Sequence, residues 1–144
     1  MKAIQSFIIA TAACLLTAAS FADEAVIISI KTDSQSYPVY KSSFACDGDK
    51  ANFWHTEFEK RQPAPPHWVE FDLKRTETVR GVSYTPRQDS NNNGTFCETE
   101  VYVYANPENP GTPVWSGNLD FMRKNVRDTV TILFDKPVED DLSR

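Results

Sequence analysis

The chain has 144 residues, of which 40% are hydrophobic and 24% charged, and its formal net charge is −5. A chain of this length forms one domain with its own apolar core. The acidic balance argues against a nucleic-acid partner, which would require a basic face to neutralise phosphates.

The first residues have the order that is typical of a secretory signal peptide. Lys2 is followed by an apolar stretch and then by small residues that end at Ala22. The apolar stretch is shorter than the about 20 residues that a membrane-spanning helix needs. We therefore predict cleavage after Ala22, which leaves residues 23–144 as a single domain secreted to an extracellular or periplasmic location.

The remainder of the chain is rich in short segments in which apolar and polar residues alternate, and this pattern is typical of β-strands. The predicted strands are Val26–Ile30, Trp68–Leu73, Thr78–Tyr84, Thr99–Tyr104, Val114–Trp115 and Thr129–Phe134. Proline and asparagine-glycine clusters at residues 63–66, 91–94 and 106–111 mark loops between them. Many short strands separated by turn signals predict an all-β sandwich or barrel.

Two cysteines, Cys46 and Cys97, remain once Cys14 leaves with the signal peptide. An oxidising compartment permits a disulfide between them, whereas two buried free thiols are the alternative. The two residues lack the close spacing of a zinc site.

The segment from Asp47 to Asn52 places carboxylates on either side of a glycine, and an amide follows. Oxygen-rich loops of this kind suit calcium, although the spacing is not that of an EF-hand. A solvated aspartate-glycine turn is the alternative interpretation.

Three further residues have the chemistry that a sugar site requires. His55 and Phe58 follow a tryptophan, and Arg87 follows the proline that ends a predicted strand. An aromatic face covers the apolar side of a pyranose, while imidazole and guanidinium groups make directional hydrogen bonds to its hydroxyls. The alternatives are a structural histidine and a solvated arginine.

Four motifs follow one another along the chain: Asp47–Asp49, Phe53–Phe58, Pro66–Leu73 and Tyr84–Asp89. In this order they resemble the discoidin superfamily, also called the coagulation factor V/VIII type C domain, and most closely the family 32 carbohydrate-binding modules. The similarity runs from about Ser42 to Phe134. It implies an antiparallel jelly-roll sandwich, a galactose-binding-like fold, that has no catalytic activity and works beside an extracellular glycosidase or another protein. It also implies binding of terminal galactose or hexosamine on a glycan.

Carried over by position, the resemblance assigns sugar contacts to His55, Phe58 and Arg87. It assigns core positions to Phe53, Trp54 and Trp68, and a structural calcium ion to Asp47, Asp49 and Asn52. Family members commonly have tryptophan in place of Phe58 and threonine in place of Asn52. The chain also stops about where a final core strand is expected, so we expect that strand to be missing and Glu139 to be the candidate for a late calcium ligand.

Two other functions fit the resemblance or the composition less well. An adhesion module for a protein or membrane would expose apolar or basic loops, but the Gln88–Gly94 loop is polar and the chain is acidic, which argues against a lipid partner. A glycosidase needs two opposed carboxylates about 5–10 Å apart, and no motif fixes such a pair. Asn93-Gly94-Thr95 is an N-glycosylation acceptor in a eukaryotic host, or simply a turn.

Overall fold

A computed structural model of the chain describes residues 5–7, 26–73, 78–91, 93–119 and 127–139. Its strands are β1 (Gln5–Phe7), β2 (Ile27–Thr32), β3 (Val69–Leu73), β4 (Thr78–Tyr84), β5 (Glu98–Val101), β6 (Trp115–Asn118) and β7 (Val130–Glu139). One 3-10 helix, η1, spans Ser42–Ala45, and the described ranges contain no α-helix. The prediction of an all-β fold is confirmed, because each predicted strand segment overlaps an observed strand. None of the helices in these ranges is long and apolar enough to cross a membrane.

The strands pair mainly in antiparallel fashion. β2 pairs with β3, β4 with β7, and β5 with β6, while β1 runs parallel to β5. β1 falls inside the segment assigned to the signal peptide, and the rest of that segment lies outside the described residues. The side chain of Glu139 and residues 140–144 also lie outside the described residues, so Glu139 as a late calcium ligand stays a prediction.

The core follows from the period of two along the strands. Val69 and Phe71 of β3 are buried, and they pack with Val82 of β4, Val101 of β5 and Ile132 of β7. Glu70 and Asp72 take the opposite face of β3 and pair with Lys31 and Ser29 of β2. This arrangement places the apolar face inside the sandwich and a charged face outside.

Trp68 is not a core residue, contrary to the prediction. Because Val69 points inward with 1% of its surface exposed, the preceding side chain must point outward, and Trp68 is 38% exposed. The neighbouring His67 has a structural role, since its Nδ1 lies 2.7 Å from Asp33 Oδ2. Asp33 Oδ1 also accepts a hydrogen bond from the backbone N–H of Trp68.

Candidate functional site

Two long connections, residues 33–68 and 85–97, carry the side chains that the sequence singled out, and backbone hydrogen bonds fix the first connection around His55. The His55 N–H donates to the Tyr40 carbonyl (3.2 Å), and the His55 carbonyl accepts from the Ser36 N–H (3.0 Å). The turn between these two residues is closed by a hydrogen bond from Tyr40 N to Ser36 O (2.8 Å). The backbone of His55 is thus held on both sides by one turn.

Four rings form an aromatic cluster beside this turn: Tyr40, Phe53, His55 and Phe58. Tyr40 stacks on Phe53 with ring centroids 4.9 Å apart, and it lies 6.1 Å from His55 and 6.0 Å from Phe58. Phe58 meets His55 edge to face at 4.9 Å and is 40% exposed. Phe58 therefore presents the open aromatic surface of the cluster.

Phe53 belongs to this cluster and not to the core, which corrects the prediction. Its ring carries the guanidinium of Arg87, with Cζ 4.2 Å from the ring centroid. Trp54, in contrast, packs against the core as expected, and its Nε1 donates to the Ser34 carbonyl (3.0 Å). Adjacent residues point to opposite sides of this extended segment, so one faces the core and the other supports the site.

The Arg87 guanidinium is held by three hydrogen bonds. Nε and Nη2 donate to the two carboxylate oxygens of Asp89 (2.7 and 2.5 Å), and Nη1 donates to the Asn93 carbonyl (3.1 Å). The side chain is 11% exposed, whereas that of Asp89 is 46% exposed. A guanidinium has five N–H groups, so two have no hydrogen-bond partner among the described residues. The hydrogen bonds from Arg87 hold the pKa of Asp89 below its usual range.

The loop after β4 brings Arg87 to His55. Gln88 Nε2 ties the loop to the carbonyls of Pro86 (2.7 Å) and Arg127 (3.0 Å). At Gly94 the backbone has a φ of +82°, a region that L side chains rarely adopt, and the chain turns toward His55. The Asn93 carbonyl accepts a hydrogen bond from Arg87, and Gly94 lies against the ring of His55. This turn therefore lies between the side chains of Arg87 and His55.

The hydrogen bonding of His55 defines what its ring can offer. Nδ1 lies 2.8 Å from the Thr56 carbonyl oxygen. A carbonyl oxygen can only accept, so Nδ1 carries the proton and Nε2 of the neutral ring presents its lone pair. The ring thus offers one acceptor, His55 Nε2, in the same cluster as the exposed ring of Phe58, and Arg87 is linked to that cluster through Phe53.

The structure places His55 and Phe58 in one cluster, which Arg87 joins through its contact with the Phe53 ring, and their role as sugar contacts stays a prediction. Sequence reasoning missed Tyr40, Asp89 and the role of the glycine at position 94. Arg87 and Asp89 are separated by one residue in a loop, and this spacing indicates an ion pair. Tyr40 gave no such signal, because it precedes the motif by many residues and joins it only through tertiary packing.

The predicted calcium ligands also converge. Asn52 Nδ2 lies 3.0 Å from Asp47 Oδ2 and 3.4 Å from Asp49 Oδ2, and Asn52 Oδ1 is buried without a hydrogen-bond partner. The other carboxylate oxygens accept from backbone N–H groups within the loop. The three side chains therefore meet at one point, with two carboxylate oxygens facing the amide. Within the described ranges, no group of three or more histidine, cysteine, aspartate or glutamate side chains is arranged to hold a metal ion.

In the structure Cys46 and Cys97 are not joined by a disulfide, and both are half-buried, so they match the alternative of two thiols except in the extent of their burial. Each sulfur has its own surroundings. Cys46 packs against the core, and burial raises the pKa of its thiol. Cys97 Sγ lies 3.6 Å from the Thr95 carbonyl.

The strands form an all-β sandwich, and the connections that follow β2 and β4 hold the aromatic cluster and Arg87. This fold is shared with the family 32 carbohydrate-binding module of NanJ from C. perfringens, solved in complex with galactose. The TM-score is 0.63 at 24% sequence identity, covering 78% of this chain and 75% of that one. Residues 29–141 match the sequence model of the F5/8 type C domain, and the chain belongs to that family.

Two curated relatives match over shorter segments. A galactose oxidase from Gibberella zeae is 45% identical over 75 residues, which are 51% of this chain and 11% of that protein. A sialidase from Micromonospora viridifaciens is 37% identical over 78 residues, which are 54% of this chain and 12% of that protein. The chain thus matches only a small part of each relative. The family match confirms the resemblance that the four motifs indicated.

Proposed function

We propose that this chain is a secreted, non-catalytic carbohydrate-binding module that recognises terminal galactose or hexosamine residues. The observation that carries the proposal is one aromatic cluster that contains the imidazole of His55 and the exposed ring of Phe58, with the Arg87 guanidinium packed on its Phe53 ring. A sugar ring offers hydroxyls that both donate and accept, and apolar C–H faces that pack on aromatic rings.

The comparisons support the choice of ligand class. The structural neighbour was solved with galactose, and the relatives are named for galactose oxidation and for sialidase activity. Because each match covers only about a tenth of the relative, the similarity concerns one domain and not the whole protein.

A glycan array followed by titration calorimetry tests the proposal. The wild type should bind a galactoside or hexosaminide. Arg87→Ala should abolish measurable binding, because it removes the donors of the site. Arg80→Ala is the matched control, because Arg80 is exposed on β4 and its substitution removes one positive charge, as Arg87→Ala does. The proposal fails if the wild type binds no sugar, or if the Arg80 variant loses as much affinity as the Arg87 variant.

We also propose that Asp47, Asp49 and Asn52 hold a structural calcium ion. Calcium takes six to eight oxygen ligands, so backbone carbonyls or waters would complete the set. A bound ion would favour the amide orientation that turns Asn52 Oδ1 toward it, which would give that buried oxygen a partner. Saturating calcium should then raise the melting temperature by about 5 °C relative to chelator. The double variant Asp47→Asn/Asp49→Asn should lose this rise, and Asp135→Asn, on the exposed face of β7, should keep it.

Export is a separate part of the proposal and is supported by the order of residues 1–22. The N-terminal sequence of the protein recovered outside the cytoplasm should begin at Asp23. Recovery with Met1 intact would contradict cleavage.

One observation favours an adhesion module as the second candidate function. The turn that brackets His55 exposes Tyr37 (69%) and Val39 (59%) at its tip. An exposed apolar pair of this kind can contact a membrane or protein surface. Co-sedimentation with neutral and anionic vesicles should detect such binding, and a Tyr37→Ser/Val39→Ser variant should abolish it. Equal sedimentation of wild type and variant would remove this candidate.

A further inference from the structure

The short strand β1 covers one edge of β5. It runs parallel to β5, with Ser6 opposite Glu100 and Phe7 opposite Val101, and it also lies beside β3. The other edge of β5 pairs with β6. Among the described residues from 26 onward, no strand pairs with the edge of β5 that β1 covers.

The position of β1 in the chain makes this edge important. β1 lies within residues 1–22, so the proposed export would remove it and leave the backbone N–H and C=O groups of this edge without a strand. Thr99 and Val101 of β5 are buried, with 3% and 1% of their surfaces exposed, and they face the core next to this edge. A strand with apolar residues opposite them would continue both the sheet and the core.

Two carboxylates on the outer face of β5 define what else such a strand would need. Glu98 and Glu100 alternate with the buried residues of β5 and therefore lie on its outer face. Their ladder partners on β6, Asn118 and Ser116, are uncharged. The Tyr102 hydroxyl donates to Glu100 Oε2 (2.8 Å), which orients this carboxylate. A basic residue beside Glu100 on the open edge would therefore be favoured.

We propose that, once residues 1–22 are removed, the edge of β5 is a docking site for an extended segment of a partner protein. The segment binds as a parallel strand, with apolar residues toward the core and a basic residue opposite Glu100. This inference rests on the proposed export and is independent of sugar binding.

A second copy of this chain fits the edge less well. Two β5 strands related by a twofold axis run antiparallel. With Thr99 opposite Thr99, Glu98 of one copy would lie against Glu100 of the other on the same face. Like charges directly opposite each other are destabilising, so the charge of β5 favours a basic partner.

A peptide of residues 3–9 is a direct probe, because it contains the sequence of β1. Fluorescence anisotropy should show that it binds the exported protein that begins at Asp23. Its binding should also slow amide hydrogen exchange at Thr99–Val101. A scrambled peptide of the same composition should do neither, and the precursor with Met1 should not bind the peptide, because its own β1 covers the edge.

Charge variants of the peptide test the chemistry of the partner. A Ser6→Lys peptide should bind about fivefold more tightly than a Ser6→Glu peptide, because residue 6 lies opposite Glu100. Glu100→Gln in the protein should reduce this ratio to less than about twofold. Glu59→Gln is the matched control, since Glu59 is exposed in the connection between β2 and β3 and its substitution changes the net charge equally.

The outcomes separate the inference from the proposed export. A protein that begins at Asp23 but binds neither the unmodified nor the Ser6→Lys peptide would overturn the inference and leave export intact. Recovery with Met1 intact would contradict export, and the inference would fail with it. Equal binding of the Ser6→Lys and Ser6→Glu peptides would overturn the basic partner.

Two further results bear on the mature chain itself. A stable dimer that the peptide does not dissociate would overturn the inference, because a second copy would then occupy the edge. If the mature chain is unfolded alone, folding on addition of the peptide would support the inference, and failure to fold with the peptide would overturn it. Circular dichroism and sedimentation velocity distinguish these cases.

Discussion

Replacing Asp89 with asparagine should change which sugars the site accepts. Asp89 supplies two of the three hydrogen bonds that hold Arg87, and it neutralises a guanidinium that is only 11% exposed. Asparagine keeps the size of the side chain but has one acceptor oxygen. Its amide nitrogen would face a donor of Arg87, so one of the two hydrogen bonds is lost.

The stability cost of Asp89→Asn should be modest. Hydrogen bonds to charged groups contribute about 1.5–3 kcal/mol when they are shielded from water. Since Asp89 is 46% exposed, solvent screening reduces the value to about 0.5–1 kcal/mol. Urea denaturation should therefore show a small fall in the free energy of unfolding.

The effect on ligand choice should be larger. Without Asp89 the charge of Arg87 is uncompensated beside the site, and Arg127, which also lowers the pKa of Asp89, adds positive potential. An attraction of about 1 kcal/mol at 4 Å in a water-like environment corresponds to about a fivefold gain for an anionic sugar relative to a neutral one. Salt should reduce that gain.

Calorimetry with methyl galactoside and galacturonate at low and high salt measures the ratio. Glu108→Gln is the control, because Glu108 is exposed in the 106–111 loop and its loss changes the net charge equally. An unchanged ratio in Asp89→Asn, or the same change in Glu108→Gln, would refute the argument that Asp89 sets the preference for uncharged sugars.

Three further predictions concern the support of the site and the sandwich. Phe53→Leu removes the ring on which Arg87 packs. The free energy of unfolding, measured by urea denaturation, should fall by about 1–2 kcal/mol, and calorimetry should show weaker sugar binding. Unchanged binding would count against a supporting role for this ring. Burial acts to raise the pKa of Glu70, but hydrogen bonds, the strongest from the Tyr104 hydroxyl (2.6 Å), outweigh it and hold the pKa below the ordinary 4.5. The stability that this pKa shift contributes is present above pH 4.5 and is lost as the pH falls through the pKa of Glu70 in the folded state. Tyr104→Phe should therefore make the fall in melting temperature at acid pH less steep. An unaltered dependence of the melting temperature on pH would contradict this prediction. The thiols of Cys46 and Cys97 should both react with an alkylating reagent after unfolding without reductant, and labelling that requires reductant would indicate a disulfide.

The period of two identified the strands because burial on one face of a sheet enforces it. The same rule, applied to Val69, places Trp68 outside the core, whereas the resemblance assigned this tryptophan to the core. The assignment of Phe53 to the core was wrong for a related reason. Trp54 packs against the core, and because adjacent side chains of an extended segment point to opposite sides, the ring of Phe53 points away from it. The site could be predicted only in part from the sequence. Tyr40 and Gly94 lie next to His55 through tertiary contacts, and no local sequence pattern indicates such contacts.

The groups that would touch a ligand are fixed before any ligand arrives. Arg87 is held by Asp89 and Asn93, and the ring of His55 is oriented by the Thr56 carbonyl. Few side-chain rotamers are then left to be frozen on binding, which reduces the entropic cost of association. The residues that do this holding are polar loop groups with little part in the core. Changes to them should therefore lower affinity with small effects on stability, whereas changes to the buried strand residues should lower stability first.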